Sequence, residues 1–146
     1  MRIIAGRWRG KHLSAPEGRH TRPTSDRARG ALFNLLLHGK PAIAGFRLAG
    51  ARVLDAFAGT GAVGLEALSR GAAHATFMEN AIDVLSVLRR NIGACDTTGS
   101  DSRVIASDVA EPPLTTQPCD MIFMDPPYGR ELWRPAASAL TRAGWM

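Results

Sequence analysis

Short apolar runs alternate along this chain with longer stretches of helical period. Arg52-Val53-Leu54-Asp55-Ala56-Phe57, Ala75-Thr76-Phe77-Met78, Arg103-Val104-Ile105-Ala106 and Cys119-Asp120-Met121-Ile122-Phe123-Met124 read as four short buried strands. After the first comes Gly59-Thr60-Gly61, then a helical pattern over residues 62–70 with Gly71 placed to end it. After the second, Leu85, Leu88 and Ile92 share one face of a helix predicted over residues 83–92. Helical spacing resumes near Leu132 and fades at Gly144. Strand–helix alternation of this kind predicts βαβ units, right-handed, on a mostly parallel sheet with α/β architecture.

The first fifty residues follow another pattern. Arg2-Ile3-Ile4 and Lys11-His12-Leu13 flank Gly6 and Gly10, short strand candidates that predict an irregular or hairpin segment over residues 1–24. Thr24-Ser25-Asp26 offers helix-capping side chains, and Ala28, Ala31, Leu32, Leu35 and Leu36 follow at spacings of three and four. A helix is expected over residues 26–37, ended by Gly39 and Pro41, with a linker on to Gly50. The resulting division is a basic extension over residues 1–24 and one α/β domain over residues 25–146.

Composition narrows the class. Apolar residues make up 45% and charged residues 21%, which suits a chain with a packed core. No apolar run is long enough to span a membrane, and the basic N-terminus lacks the apolar stretch of a secretory signal. Cys95 and Cys119 form no CxxC pair and have no nearby pair of histidines, so neither a disulfide scaffold nor a local zinc site is expected. The expectation is a cytoplasmic protein without a metal. The net charge of +5 is concentrated: residues 1–30 carry eight basic side chains against two acidic ones. A basic arm on a near-neutral body fits a polyanion partner. Trp8 lies among Arg7, Arg9 and Lys11, a cluster able to stack a base and hold its phosphate, or else to pack the hairpin onto the body.

The acids carry the most information. Each predicted strand leads to a carboxylate: Asp55, Glu79, Asp108 and Asp125. Ligands of open α/β sheets bind beyond the carboxyl ends of the strands, so these four are expected to converge. Residues 59–64 match GxGxxG between a strand and a helix, with Glu79 where a ribose-binding acid belongs, a pattern that by itself suits a nicotinamide dehydrogenase. Asp55 argues otherwise, because a carboxylate beside the glycine turn repels a pyrophosphate. It suits S-adenosylmethionine, which carries a sulfonium and an amino group and no phosphate. Asp125-Pro126-Pro127-Tyr128 then points to methylation of an exocyclic amine. Such a nitrogen is a poor nucleophile, and the Asp125 carboxylate with the Pro126 carbonyl could accept both its hydrogens. The prolines hold those acceptors still, and Tyr128 offers a face to a base turned out of its stack.

Residues 2–6, 8–10, 22–27 and 32–34, the stretch 55–71 and Asp125–Tyr128 occur in an order that closely resembles the RsmD family. These are bacterial enzymes that methylate a guanine N2 of 16S ribosomal RNA with S-adenosylmethionine, on a Rossmann-like class I methyltransferase fold. The resemblance runs from Met1 to Trp145 and implies roles for individual residues. Asp55, Gly59 and Gly61 would line the methionine side of the cofactor, Glu79 the ribose and Asp108 the adenine. Thr24, Phe57, Asn80 and Val109 are carried over as further cofactor contacts. Asp125, Pro126, Pro127 and Tyr128 would hold the guanine. Arg7, Trp8, Arg9, Lys11 and Arg22 would meet RNA, either bare 16S rRNA or a small-subunit assembly particle, with the protein acting as a monomer.

Two features depart from the family pattern. Gly30 stands where a glutamate is usual, at a cost of about 1 kcal/mol in helix propensity. Relatives also continue beyond the Gly144-Trp145 pair through further strands. The expected sheet is therefore C-terminally incomplete, with residues 121–124 as an apolar edge unless something covers it. The rival readings are an adenine-N6 DNA methyltransferase, which shares the Asp-Pro-Pro-Tyr motif, and an inactive fragment that only binds cofactor or RNA.

Overall fold

The computed structural model describes residues 1–18, 24–127, 129 and 131–146. Arg22 and Tyr128 of the expected site lie outside the described residues. Four parallel strands, β1 (Arg52–Ala56), β2 (His74–Glu79), β3 (Ser102–Ala106) and β4 (Met121–Met124), form one sheet in the order β3-β2-β1-β4. Helices α1 (Asp26–His38), α2 (Lys40–Ile43), α3 (Ala62–Ser69), α4 (Ile82–Ala94) and α5 (Trp133–Arg142) accompany them. No helix among the described residues is long and apolar enough to cross a membrane.

Alternation along the strands builds two cores. Val53, Ala75 and Phe77 point to one face, where they pack with Phe33 and Leu36 of α1, Leu65 and Leu68 of α3, and Leu85 and Leu88 of α4. Leu54, Ala56 and Met78 point to the other, against Ala136 and Leu140 of α5 and the buried Trp145. The Trp145 indole donates to the Pro113 carbonyl at 2.8 Å, which satisfies its one polar atom inside an apolar cluster. The central strands are buried on both faces, as parallel sheets require. Among the described residues β4 pairs only with β1, and it is half-buried throughout.

Several elements differ from expectation, each for an identifiable reason. β4 begins at Met121 rather than Cys119, and the Cys119 amide donates to the Trp145 carbonyl instead of to β1. β3 ends at Ala106 as expected but begins one residue earlier, at Ser102, and beyond it the Asp108 carboxylate accepts the Ala110 amide at 2.8 Å. Part of the expected linker is α2, with Pro41 in its first turn, where a missing amide hydrogen costs nothing. The largest difference is the rotation of α1. It buries Arg29, Phe33 and Leu36, while Leu35 is 58% exposed.

That rotation follows from a buried ionic joint. Glu66 sits within the apolar helix α3, fully buried. Its carboxylate accepts the Ile4 amide at 2.9 Å, the Ala5 amide at 3.1 Å, Arg29 Nε at 3.4 Å and Arg70 Nε at 2.7 Å. Arg29, also fully buried, completes its donors on the Thr24 carbonyl, the Arg2 carbonyl and Asp26. One residue of the basic arm is therefore an internal counter-ion, not a surface charge. The hairpin is held by an Arg2–His12 bridge and docks along α3. There the Ser69 carbonyl accepts the Arg7 amide and the Ser69 hydroxyl accepts the Trp8 amide. Gly6 permits this approach, because a Cβ there would lie 1.8 Å from the Ser69 carbonyl oxygen.

Candidate active site

The strand order reverses between β1 and β4, and crevices for ligands open at such switch points. β1 delivers Asp55 and then turns sharply at Phe57, whose φ of 61° lies in the left-handed region that non-glycine residues seldom adopt. The turn carries the chain over the end of β2. There the Ala58 amide donates to the Met78 carbonyl and the Gly59 amide to Glu79 Oε2, both at 2.9 Å. Glu79 Oε1 takes the Asn80 and Ala81 amides, so this carboxylate is held rigidly by three backbone donors.

Gly61 stands at the cap position before helix α3 and has no side chain to cap it. Asp55 supplies the missing acceptor from the neighbouring strand, taking the Gly64 amide at 2.8 Å. Gly64 is required by packing, since a Cβ would fall 2.4 Å from the Phe77 ring. Gly61 faces Leu88 and Phe77 in the same way, while Gly59 leaves open space. The glycine motif thus seats α3 on β2 and α4 as well as forming the turn.

Burial pushes the Asp55 carboxyl up to about 7, aided by the nearby negative charges of Asp125 and Glu79 and opposed by the Gly64 hydrogen bond. A cation arriving beside it would restore the charged form.

Next to this turn lies a cavity of about 220 Å³. Its walls bring together Phe57, Glu79, Asn80, Asp108, Val109 and Pro127 from the expected site, with Met78, Leu132 and Ala136 as apolar lining. Pockets that engulf a drug-sized ligand run from about 300 Å³ upward, so this space suits one end of such a ligand. Two carboxylates and, among the described residues, no lysine or arginine line it. Such a wall fits the hydroxyl and amine donors of a nucleoside better than a pyrophosphate. Asp55, Gly59, Gly61, Thr24 and Asp125 lie outside the cavity lining. Asp125 is exposed just past β4, and its Oδ2 accepts the Thr24 hydroxyl at 3.1 Å.

A family profile described as "Conserved hypothetical protein 95" matches residues 1–146. The chain belongs to that family. It is the RsmD family of the sequence resemblance. Ribosomal RNA small subunit methyltransferase D of Escherichia coli (strain K12) is 39% identical over 100% of this chain and 69% of its own length. The protein of the same name from Haemophilus influenzae is 36% identical, over 100% and 73%. The solved yhhF structure of Escherichia coli superposes with a TM-score of 0.78 at 37% identity, covering 100% of this chain and 74% of that one. A precorrin-6y C5,15-methyltransferase from Geobacter metallireducens, 15% identical, has a TM-score of 0.69 over 98% of this chain and 68% of its own, a likeness of fold alone. This RsmD family member therefore has the Rossmann-like class I methyltransferase fold, in agreement with the sequence reading.

The other expected contacts divide between surface and structure. The Arg7 guanidinium lies 4.1 Å over the Trp8 ring and 3.4 Å from Asp101. Lys11 Nζ donates to the Ala94 carbonyl, and Arg9 is exposed. Trp8 is only partly exposed and packs against the main core, so both readings of this residue have a physical basis. Sequence reasoning missed Arg29, Glu66 and Asn91. Asn91 is buried, donates to the Thr60 and Ser14 carbonyls at 2.9 Å each, and ties the arm to the glycine turn. The available signal was a lone polar residue inside an apolar helical face, which must be paired to be stable.

The Asp55 environment predicts a pH dependence. Its carboxyl is raised in the folded protein, so the folded state holds a proton that the unfolded state releases near the ordinary value of 3.8. The stability linked to this group is fully present below pH 4 and is lost as pH rises toward about 7, by on the order of a few kcal/mol. Urea unfolding between pH 4 and 8 should show this slope, and Asp55→Asn should flatten it. An equal slope in both proteins would assign it to other groups.

Proposed function

We propose that this chain transfers a methyl group from S-adenosylmethionine to the exocyclic N2 of a guanine in 16S, small-subunit, ribosomal RNA. The observation that carries the reading is the Asp125-Pro126-Pro127 turn at the end of β4, beside an acid-walled cavity to which Pro127 itself contributes. The names of the Escherichia coli and Haemophilus influenzae relatives support ribosomal RNA as the substrate. When bound, the cofactor supplies a methyl group activated on a sulfonium.

The residues divide the remaining work. Met78 and Val109 supply apolar surface for the adenine, and Asp108 faces its edge. Glu79, already fixed by three amides, accepts from the ribose hydroxyls with its remaining lone pair. Asp55 meets the cationic methionine end, where a positive charge keeps it ionised. Asp125 and the Pro126 carbonyl accept the two N–H hydrogens of the guanine amine and aim its lone pair at the methyl group. Tyr128 stacks on the extruded base. Exposed Arg9, the Arg7–Trp8 pair and Lys11 meet the phosphates and bases around the target, with Arg22.

Two measurements follow. Asp125→Ala should slow single-turnover methyl transfer to 16S rRNA by about 100- to 1000-fold, the effect of losing one preorganised acceptor, with RNA affinity little changed. Asp125→Asn should be milder, since an amide oxygen still accepts. Equal rates in Asp125→Ala and the parent would remove the orienting role. Replacing Arg7, Arg9 and Lys11 together by Ala should reduce the salt slope of RNA binding by about 0.7 per lost phosphate contact and leave cofactor affinity unchanged. An unaltered slope would make the arm a structural element only.

A further inference from the structure

We propose that Thr24 is a positioning residue for Asp125: its hydroxyl fixes the carboxylate so that Oδ1 is left free and aimed at the amine. Asp125 is exposed, so packing does not hold its side chain in one rotamer. Among the described residues its carboxylate has one hydrogen-bond partner, the Thr24 hydroxyl, which donates to Oδ2 at 3.1 Å from 101 residues away in sequence. A carboxylate that must present one oxygen to a weak nucleophile gains from having the other engaged, because reorientation is then complete before the reaction.

Thr24 is itself fixed from two sides. Its carbonyl accepts Arg29 Nη1 at 3.3 Å, and that guanidinium is fully buried against Glu66. On the other side stands Ser25, whose hydroxyl oxygen caps α1 by accepting the Ala28 amide at 3.1 Å. The Thr24 hydroxyl therefore projects from a rigid junction, the end of a capped helix pinned by a buried ion pair. Asp125 is steadied by the segment before α1, which gives a residue outside the sheet an indirect part in the proposed chemistry. The resemblance implies a cofactor contact for Thr24, and the hydrogen bond adds a role toward Asp125.

The test compares Thr24→Val, which keeps the shape and removes the hydroxyl, with Thr24→Ser, which restores the hydroxyl. The first readout needs no activity: three-bond couplings to the Asp125 side-chain carboxyl carbon, measured by NMR, report its χ1 rotamer. The expected result is one rotamer in the parent and in Thr24→Ser, and averaging in Thr24→Val. The second readout rests on the proposed methyl transfer. Single-turnover rate should fall by about 10- to 100-fold in Thr24→Val and recover in Thr24→Ser, with binding of S-adenosylhomocysteine and RNA unchanged. Identical couplings in parent and Thr24→Val would overturn the inference. So would a loss of S-adenosylhomocysteine affinity without a change of rate, which would return Thr24 to the cofactor. If the parent methylates no RNA, the functional reading fails, and the couplings still decide the positioning role.

Discussion

A carboxylate buried in the middle of an apolar helix must be answered by donors, and the architecture around the sheet follows from how Glu66 is answered. Two backbone amides of the arm, at Ile4 and Ala5, and two guanidinium groups, at Arg29 and Arg70, converge on it. Removing one partner of such a joint leaves a desolvated charge, typically a loss of about 3–5 kcal/mol. The joint therefore fixes the path of the arm and the rotation of α1 about its axis. It also fixes Thr24, because the Arg29 guanidinium has donors left over after Glu66 and spends one on the Thr24 carbonyl.

A second carboxylate sets the electrostatics at the start of α3. Asp55 caps α3 in place of a side chain that Gly61 lacks, and the same seat strips it of water. Burial outweighs the Gly64 hydrogen bond and raises its carboxyl to about 7. The group is thus poised to ionise when a cation arrives, which suits the methionine end of the proposed cofactor. Stability and binding then pull in opposite directions with pH, since the protonated form favours the empty fold and the ionised form favours the ligand.

How much was legible from the sequence depended on whether a residue obeyed its own neighbourhood. Val53-Leu54 and Phe77-Met78 place apolar side chains on both faces of short segments bounded by glycine turns and helical patterns, which suits strands buried on both faces, so the sheet and its acids could be placed. The face of α1 could not. Leu32 and Leu35 make a convincing stripe, yet Leu35 is exposed, and Arg29, one of the eight basic side chains of residues 1–30, is drawn inside by Glu66. A partner 37 residues away in sequence cannot be seen in a periodicity. The same limit hid Asn91, whose partners are carbonyls of the arm and of the glycine turn. Gly61 and Gly64 were legible as a motif, but the packing that requires them, against Leu88 and Phe77, became visible only in the fold.

The basic arm is part of the scaffold, and one carboxylate holds it there. Residue-resolved hydrogen exchange on Glu66→Gln tests this directly. Ile4, Ala5, Arg7 and Trp8 amides should lose protection together, along with the first turn of α1, while β1 and β2 keep theirs. Arm amides that exchange as slowly in Glu66→Gln as in the parent would contradict the account.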